Sequence, residues 1–142
     1  FTAAGSPPIS KARSRAAPGR KDGETRYHGR VTVSTKKFAI LGAGLQGTCA
    51  AYDLARSAAP AEIRFLDASS DAAGRAAARL RELVGYEASH AALDALDPVA
   101  LTAALEGIDV LLSCVPFWMH PAVEKTALCA GVSVCDLGGN TE

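Results

Sequence analysis

The sequence predicts an α/β domain built on a doubly wound parallel sheet, and three observations lead there. Short apolar runs alternate with segments of helical period from residue 36 onward. A glycine-rich sextet joins the first run to the first helical segment. The run at 109–115 is apolar without the polar alternation of a half-solvated strand, as expected when both faces of a sheet are covered. Strands that alternate with helices need crossover connections, and crossovers make neighbouring strands parallel.

Each element follows from its own stretch of chain. Lys37–Leu41 reads as a buried strand that ends at the glycines of 42–47. Leu45–Ala58 reads as a helix with Ala51, Leu54, Ala55 and Ala58 on one face, stopped by Pro60. Glu62–Leu66 is the second strand, and Asp71–Gly85 an Ala-rich helix with Leu80, Leu83 and Val84 as its apolar stripe. The pattern of Tyr86–Leu93 is ambiguous, and a short third strand suits the order of elements. Asp97 has the chemistry of an N-cap and Pro98 that of a first helical residue, opening a helix over Val99–Leu105. Asp109–Val115 is the fourth strand, Pro121–Ala130 a helix closed by Gly131, and Val132–Leu137 the fifth strand.

Composition bounds the function classes. The 142 residues allow one compact domain with a tail, and 49% hydrophobic with 21% charged residues excludes wholesale disorder. No window approaches the roughly 18 consecutive apolar residues of a membrane span, so no membrane partner is expected. The formal net charge of zero hides an asymmetry of +7 over residues 1–37 against −7 over 38–142. The chain therefore divides into a basic leader, 1–35, rich in Pro, Gly, Ser, Ala and Arg and expected to be disordered, and a folded domain, 36–142. The leader has the composition of a transit peptide, of a nucleic-acid-binding arm or of a translated upstream extension; no aromatic interleaving or cleavage signal selects among them, and nucleic acid is not the expected partner. The start at Phe1 and the end soon after an apolar run suggest a fragment. Cys49, Cys114, Cys129 and Cys135 have no CxxC or metal-ligand spacing. They are expected to be buried small hydrophobes in a reducing, cytoplasmic compartment, and no metal site is expected.

The chemistry begins at Gly42-Ala43-Gly44-Leu45-Gln46-Gly47, a G-x-G-x-x-G between a strand and a helix. Gly42 permits the tight turn, Gly44 lets backbone approach a pyrophosphate, and Gly47 lets the helix pack close to the sheet. The helix start presents unpaired N–H groups and about half a positive charge, a fit for an anionic pyrophosphate. Asp67, twenty positions after Gly47 at the tip of the second strand, can accept both hydroxyls of an adenosine ribose. The same carboxylate repels a 2′-phosphate by about 4 kcal/mol at 4 Å in an effective dielectric near 20. No Lys or Arg occurs in Ala68-Ser69-Ser70, and Arg75 is the nearest later cation. NAD is therefore favoured, with NADP left open, and the fold is the Rossmann dinucleotide-binding type. A glycine-rich turn and a capping Asp in a non-binding α/β domain is the competing reading.

Two further strand ends share that edge of the sheet. Ser113-Cys114-Val115-Pro116 closes the fourth strand, where Cys114, Val115 and Pro116 should pass near the nicotinamide-side ribose, Cys114 chiefly as packing. Asp136, Gly138, Gly139 and Asn140 follow the fifth strand and offer polar groups for a substrate amine or carboxylate. Asp94 reads as a turn residue, with contact to the adenine as the alternative; His120 reads as a group capping or flanking a helix start, with a catalytic role as the alternative; Phe117-Trp118 read as packing aromatics rather than a base-stacking platform.

Gly-Ala-Gly-Leu-Gln-Gly at 42–47 with Ala-Ala-Tyr-Asp-Leu-Ala at 50–55, Ser-Cys-Val-Pro-Phe at 113–117 and Ala-Gly-Val-Ser-Val-Cys-Asp-Leu-Gly-Gly-Asn at 130–140 together resemble the saccharopine dehydrogenase-like family, which includes lysine 6-dehydrogenases. The similarity spans about residues 37–142, and its last motif is the most specific. The resemblance implies the cofactor half of an NAD(P)-dependent oxidoreductase acting on the C–N bond of an amino acid, homo-oligomeric when whole. Gly42, Gly44, Leu45, Gln46 and Gly47 would then hold pyrophosphate, Asp67 the ribose, and Cys114–Pro116 would lie beside the nicotinamide. The family's substrate domain would follow Glu142, so no catalytic acid or base is carried over and the fragment itself is expected to turn nothing over. Polyamine chemistry with the same cofactor, a non-catalytic dinucleotide-sensing module and a nucleic-acid-binding protein led by the basic arm are the alternatives.

Overall fold

The computed structural model describes residues 35–138, so the leader up to residue 34 and the tail residues Gly139 and Asn140 lie outside the described residues. The elements run β1 (Lys37–Leu41), α1 (Leu45–Ser57), β2 (Glu62–Asp67), α2 (Ser70–Val84), β3 (Ser89–Ala92), α3 (Pro98–Ala104), β4 (Val110–Ser113), a 3-10 turn (Phe117–Met119), α4 (His120–Cys129) and β5 (Ser133–Asp136). The strands form one five-stranded sheet in the order β3-β2-β1-β4-β5, with every neighbouring pair parallel. This is the expected Rossmann-like fold.

Both faces of the sheet are covered, and the side-chain period of two sorts each strand between them. Ile40, Ile63 and Phe65 pack with Ala51 of α1 and with Ala73, Ala76, Ala77 and Leu80 of α2. Ala39, Leu41, Leu66 and Leu111 pack with Leu101 of α3 and with Val123 and Ala127 of α4. Alanines at the helix–sheet contacts let the α1–α2 layer lie close to the strands. Among the described residues no helix is long and apolar enough to cross a membrane.

Several expectations are corrected in detail. The buried stripe of α2 is Ala73, Ala76, Ala77 and Leu80, whereas Leu83 is 45% exposed, because the closely packed face is the alanine face. β4 is shorter than 109–115: the Asp109 carboxylate turns to the backbone N–H of Lys37 (2.8 Å) and the ammonium of Lys36 (3.0 Å), at the mouth of the ladder. The cysteines are not a buried set. Cys49, Cys129 and Cys135 are exposed and Cys114 is half-buried, all as free thiols, since the first three sit on solvent faces of helices or on an edge strand. Phe117 and Trp118 are likewise exposed, at 55% and 61%, while Met119 beside them packs into the core.

Candidate functional site

The strand order reverses direction between β1 and β4, the place in an open parallel sheet where ligands enter beyond the carboxyl ends of the strands. Gly42 makes the turn out of β1 with φ +97°, and its N–H donates to the Leu66 carbonyl at 2.8 Å. A Cβ on Gly42 would lie 2.8 Å from the Cys114 carbonyl oxygen, so the end of β4 abuts the glycine turn. Gly44 is the N-cap of α1, in extended conformation, and no side chain caps that helix. The first turn of α1 holds no acid, and Gly44, Leu45 and Gln46 are exposed. Nothing lies within 4 Å of a Cβ placed on Gly44, which leaves open space over uncapped N–H groups. Gly47 is buried, with a Cβ there overlapping the Gly42 carbonyl oxygen.

Asp67 stands at the end of β2 and turns its carboxylate toward this loop. Oδ2 accepts the Ala43 N–H at 2.8 Å and Oδ1 the Ser69 N–H at 2.9 Å. Each oxygen keeps a second lone pair for an outside donor. The acid thus braces the glycine loop as well as facing it, a role that spacing alone does not reveal. Asp94 accepts the Leu96 N–H at 2.9 Å, the turn role expected of it.

Across the switch point, Cys114 N–H donates to the Leu41 carbonyl at 2.7 Å, extending the β1–β4 ladder by one residue. Burial first, and the neighbouring Cys135 second, push the Cys114 thiol up to about 11, so it stays protonated at neutral pH and suits packing rather than nucleophilic attack. Val115 is half-buried against the core and Pro116 is exposed. At the end of β5 the Leu137 N–H donates to the Ser113 carbonyl (3.2 Å), and the Gly138 N–H to Asp136 Oδ1 (2.7 Å).

The structure adds a group that the sequence reading passed over. Ser113 is fully buried, and its Oγ lies 3.1 Å from Nδ1 of His120, itself only 7% exposed. His120, Glu124 and Asp136 each bring one potential ligand atom to within 4.8 Å of the others. A hydrogen bond with Asp136, then burial, then the Asp136 charge hold the Glu124 carboxyl above its ordinary range. The Gly138 N–H and the bond to Glu124 hold Asp136 below its own. A serine at the end of an apolar strand, with a histidine seven residues on, is the signal that was present, because a buried hydroxyl must find a partner.

The edge that joins the glycine turn, the uncapped helix start and the ends of β2 and β4 has the form of the dinucleotide crevice of Rossmann-like domains. The sequence profile of the saccharopine dehydrogenase NADP binding domain matches residues 38–142, and the chain belongs to that family. Its description names NADP; the expectation of a nicotinamide dinucleotide holds, and against the expected preference for NAD the family description favours NADP. Among solved structures, the chain is similar to apo histidine-tagged saccharopine dehydrogenase (L-Glu forming) from Saccharomyces cerevisiae, with TM-score 0.62 and 24% identity over 75% of this chain and 22% of that one. It is similar to an NADPH-dependent quinone oxidoreductase from Escherichia coli, with TM-score 0.54 and 29% identity over 70% of this chain and 34% of that one. A wide-type short-chain dehydrogenase/reductase from Veillonella parvula in complex with NADP shares the fold, with TM-score 0.56 and 15% identity over 71% of this chain and 46% of that one. The chain therefore spans between about a fifth and a half of the length of these relatives.

Proposed function

We propose that residues 36–142 are the cofactor-binding portion of an oxidoreductase acting on the C–N bond of an amino acid. The observation that carries the reading is the uncapped start of α1 beneath open space at Gly44, with the Asp67 carboxylate beside it. Backbone N–H groups of Leu45, Gln46 and Gly47 would hold the pyrophosphate, since a helix N-terminus without its own acid favours an anion. Gly42 and Gly44 keep that approach free of side chains, and Asp67 would accept the ribose hydroxyls on its spare lone pairs. Cys114, Val115 and Pro116 would border the nicotinamide end. Asp136 and Gly138 would border the substrate, with Gly139 and Asn140 completing that edge. Bound in this way, a nicotinamide dinucleotide supplies hydride transfer, and the chain supplies position, exclusion of bulk and a fixed field. The family membership supports an amine-bearing substrate carbon as the hydride partner.

Within the cofactor class the reading is NAD over NADP. The family description weighs the other way, but a carboxylate at Asp67 disfavours a second phosphate on the same ribose. Salt screens part of that repulsion, leaving about tenfold, or about 1.4 kcal/mol, between the two cofactors. Fluorescence titration of the chain with NADH and with NADPH tests both points, with circular dichroism confirming that each sample is folded. Wild type should favour NADH, and Asp67→Asn should narrow the ratio. A folded sample with no saturable signal removes the binding reading, and an NADPH preference that Asp67→Asn leaves unchanged removes the choice of NAD. Cofactor reduction across a panel of amino acids, measured on the protein as encoded, tests the C–N chemistry; rates independent of every amino acid would overturn it.

A further inference from the structure

The group at the ends of β4 and β5 has the composition and the support of a metal centre. His120 and Glu124 are four residues apart at the start of α4, a spacing that puts both on one helical face, and Asp136 closes β5 opposite them. One potential ligand atom from each lies within 4.8 Å of the other two. In a tetrahedral site with bonds near 2.1 Å, ligand atoms lie about 3.4 Å apart, so a modest closure of the half-buried Glu124 side chain completes the set.

The independent observation is the state of His120. The residue is only 7% exposed, and Nδ1 is held by the fully buried Ser113 hydroxyl at 3.1 Å. The opposite side of the ring faces the carboxylates. A Cβ placed on Gly138 would lie 3.4 Å from His120 Nε2 and 2.9 Å from Asp136 Oδ1, so glycine leaves a gap that both atoms border. Nε2 has no hydrogen-bond partner among the described residues and opens to solvent rather than lying buried. A histidine oriented through one nitrogen and bare at the other is the arrangement that outer-shell partners impose on metal-binding imidazoles. Asp136 is oriented too, by the Gly138 N–H at 2.7 Å.

We propose that His120 Nε2, Glu124 and Asp136 form a site for a divalent cation of the zinc class, with Ser113 and the Gly138 N–H as its orienting groups. One imidazole and two carboxylates suit zinc or cobalt(II) and disfavour the all-oxygen shell of magnesium or calcium. Three protein ligands leave one position open to water or to a nitrogen or oxygen of a small molecule. The site goes beyond the dinucleotide reading and needs none of it.

The experiment uses the whole chain, stripped of metal with a chelator and titrated with Co2+ by visible absorption and with Zn2+ by calorimetry near neutral pH. The expected result is one equivalent bound, with cobalt d–d bands and no thiolate charge-transfer band, which separates this site from the free cysteines. Glu124→Gln and Asp136→Asn should each weaken binding by about tenfold or more, and Ser113→Ala, which removes no ligand, by about tenfold. Glu124 is half-buried and outside the main core, so its variant keeps the test intact if His120→Asn fails to fold. NADH titration of the Glu124→Gln variant should match wild type, which separates this proposal from the cofactor reading. Saturation only above about 100 μM, spectra dominated by thiolate bands, or binding unmoved by Glu124→Gln, Asp136→Asn and Ser113→Ala would each overturn the proposal.

Discussion

At Gly47 an added Cβ overlaps the Gly42 carbonyl oxygen and comes 3.1 Å from Ile40 Cγ2, whereas at Gly44 it meets nothing within 4 Å. Gly44 also has φ −74°, a conformation any residue adopts. The two glycines therefore separate folding from binding. Gly47→Ala should lower stability by about 3 kcal/mol or more, because the overlapping atom belongs to rigid backbone. Gly44→Ala should melt like wild type and lose NADH affinity by at least about tenfold, since its methyl group fills the space proposed for pyrophosphate. Thermal melts and fluorescence titrations on the same two variants check both outcomes. The distinction was partly legible in the sextet, where spacing gives each glycine a role. The size of the Gly47 constraint depends on how closely α1 rides on the turn, which the sextet does not contain. Asp67 is a second case: its position twenty residues on pointed to a ribose, but its bonds to Ala43 and Ser69 follow from the path of the loop.

The helix ends show why α1 differs from its neighbours. Ser69 caps α2 through the Ala72 N–H at 3.2 Å, and Asp97 caps α3 through Val99 and Ala100. Such caps contribute about 1 kcal/mol each; α1 and α4 both forgo one, and only α1 starts at a glycine N-cap with open space above it. At the opposite end of the sheet, Asp109 joins the start of β4 to the start of β1. The backbone N–H of Lys37, then Lys36, hold its carboxyl below the ordinary 3.8. A lowered pKa in the folded state stabilises the protein above the unfolded value, and that contribution disappears as pH falls through the folded one. Asp109→Asn should therefore be less stable than wild type at about pH 7, with the difference shrinking below about pH 4, as read from urea unfolding at each pH. Capping residues are local signals and were readable at Asp97 and Pro98. The Asp109 partners lie seventy-two and seventy-three positions away, so the same acid read as part of a strand.

At the scale of the sheet, β1 is flanked on both sides, by β2 and β4, while among the described residues β3 and β5 are edges with mostly exposed residues. Opening the centre requires breaking two ladders and both apolar layers; opening an edge breaks one ladder and buries little. Hydrogen exchange followed by mass spectrometry should show β1, β2 and β4 exchanging with the slowest class of amides and β3 and β5 at least about tenfold faster. Equal protection across all five strands would mean that the edges are covered in solution.

The alternation of apolar and helical periods, the turn glycines and the caps determined the order of elements, the parallel sheet and the position of its glycine-turn edge, because each is a property of consecutive residues and the hydrogen bonds they can make locally. Which face of α2 is buried, that three cysteines reach solvent, and that Ser113, His120, Glu124 and Asp136 meet at one corner were decided by packing. Those outcomes depend on distances between residues remote in the chain, set by the order in which β4 and β5 join the sheet and by how closely small side chains let the helices approach it.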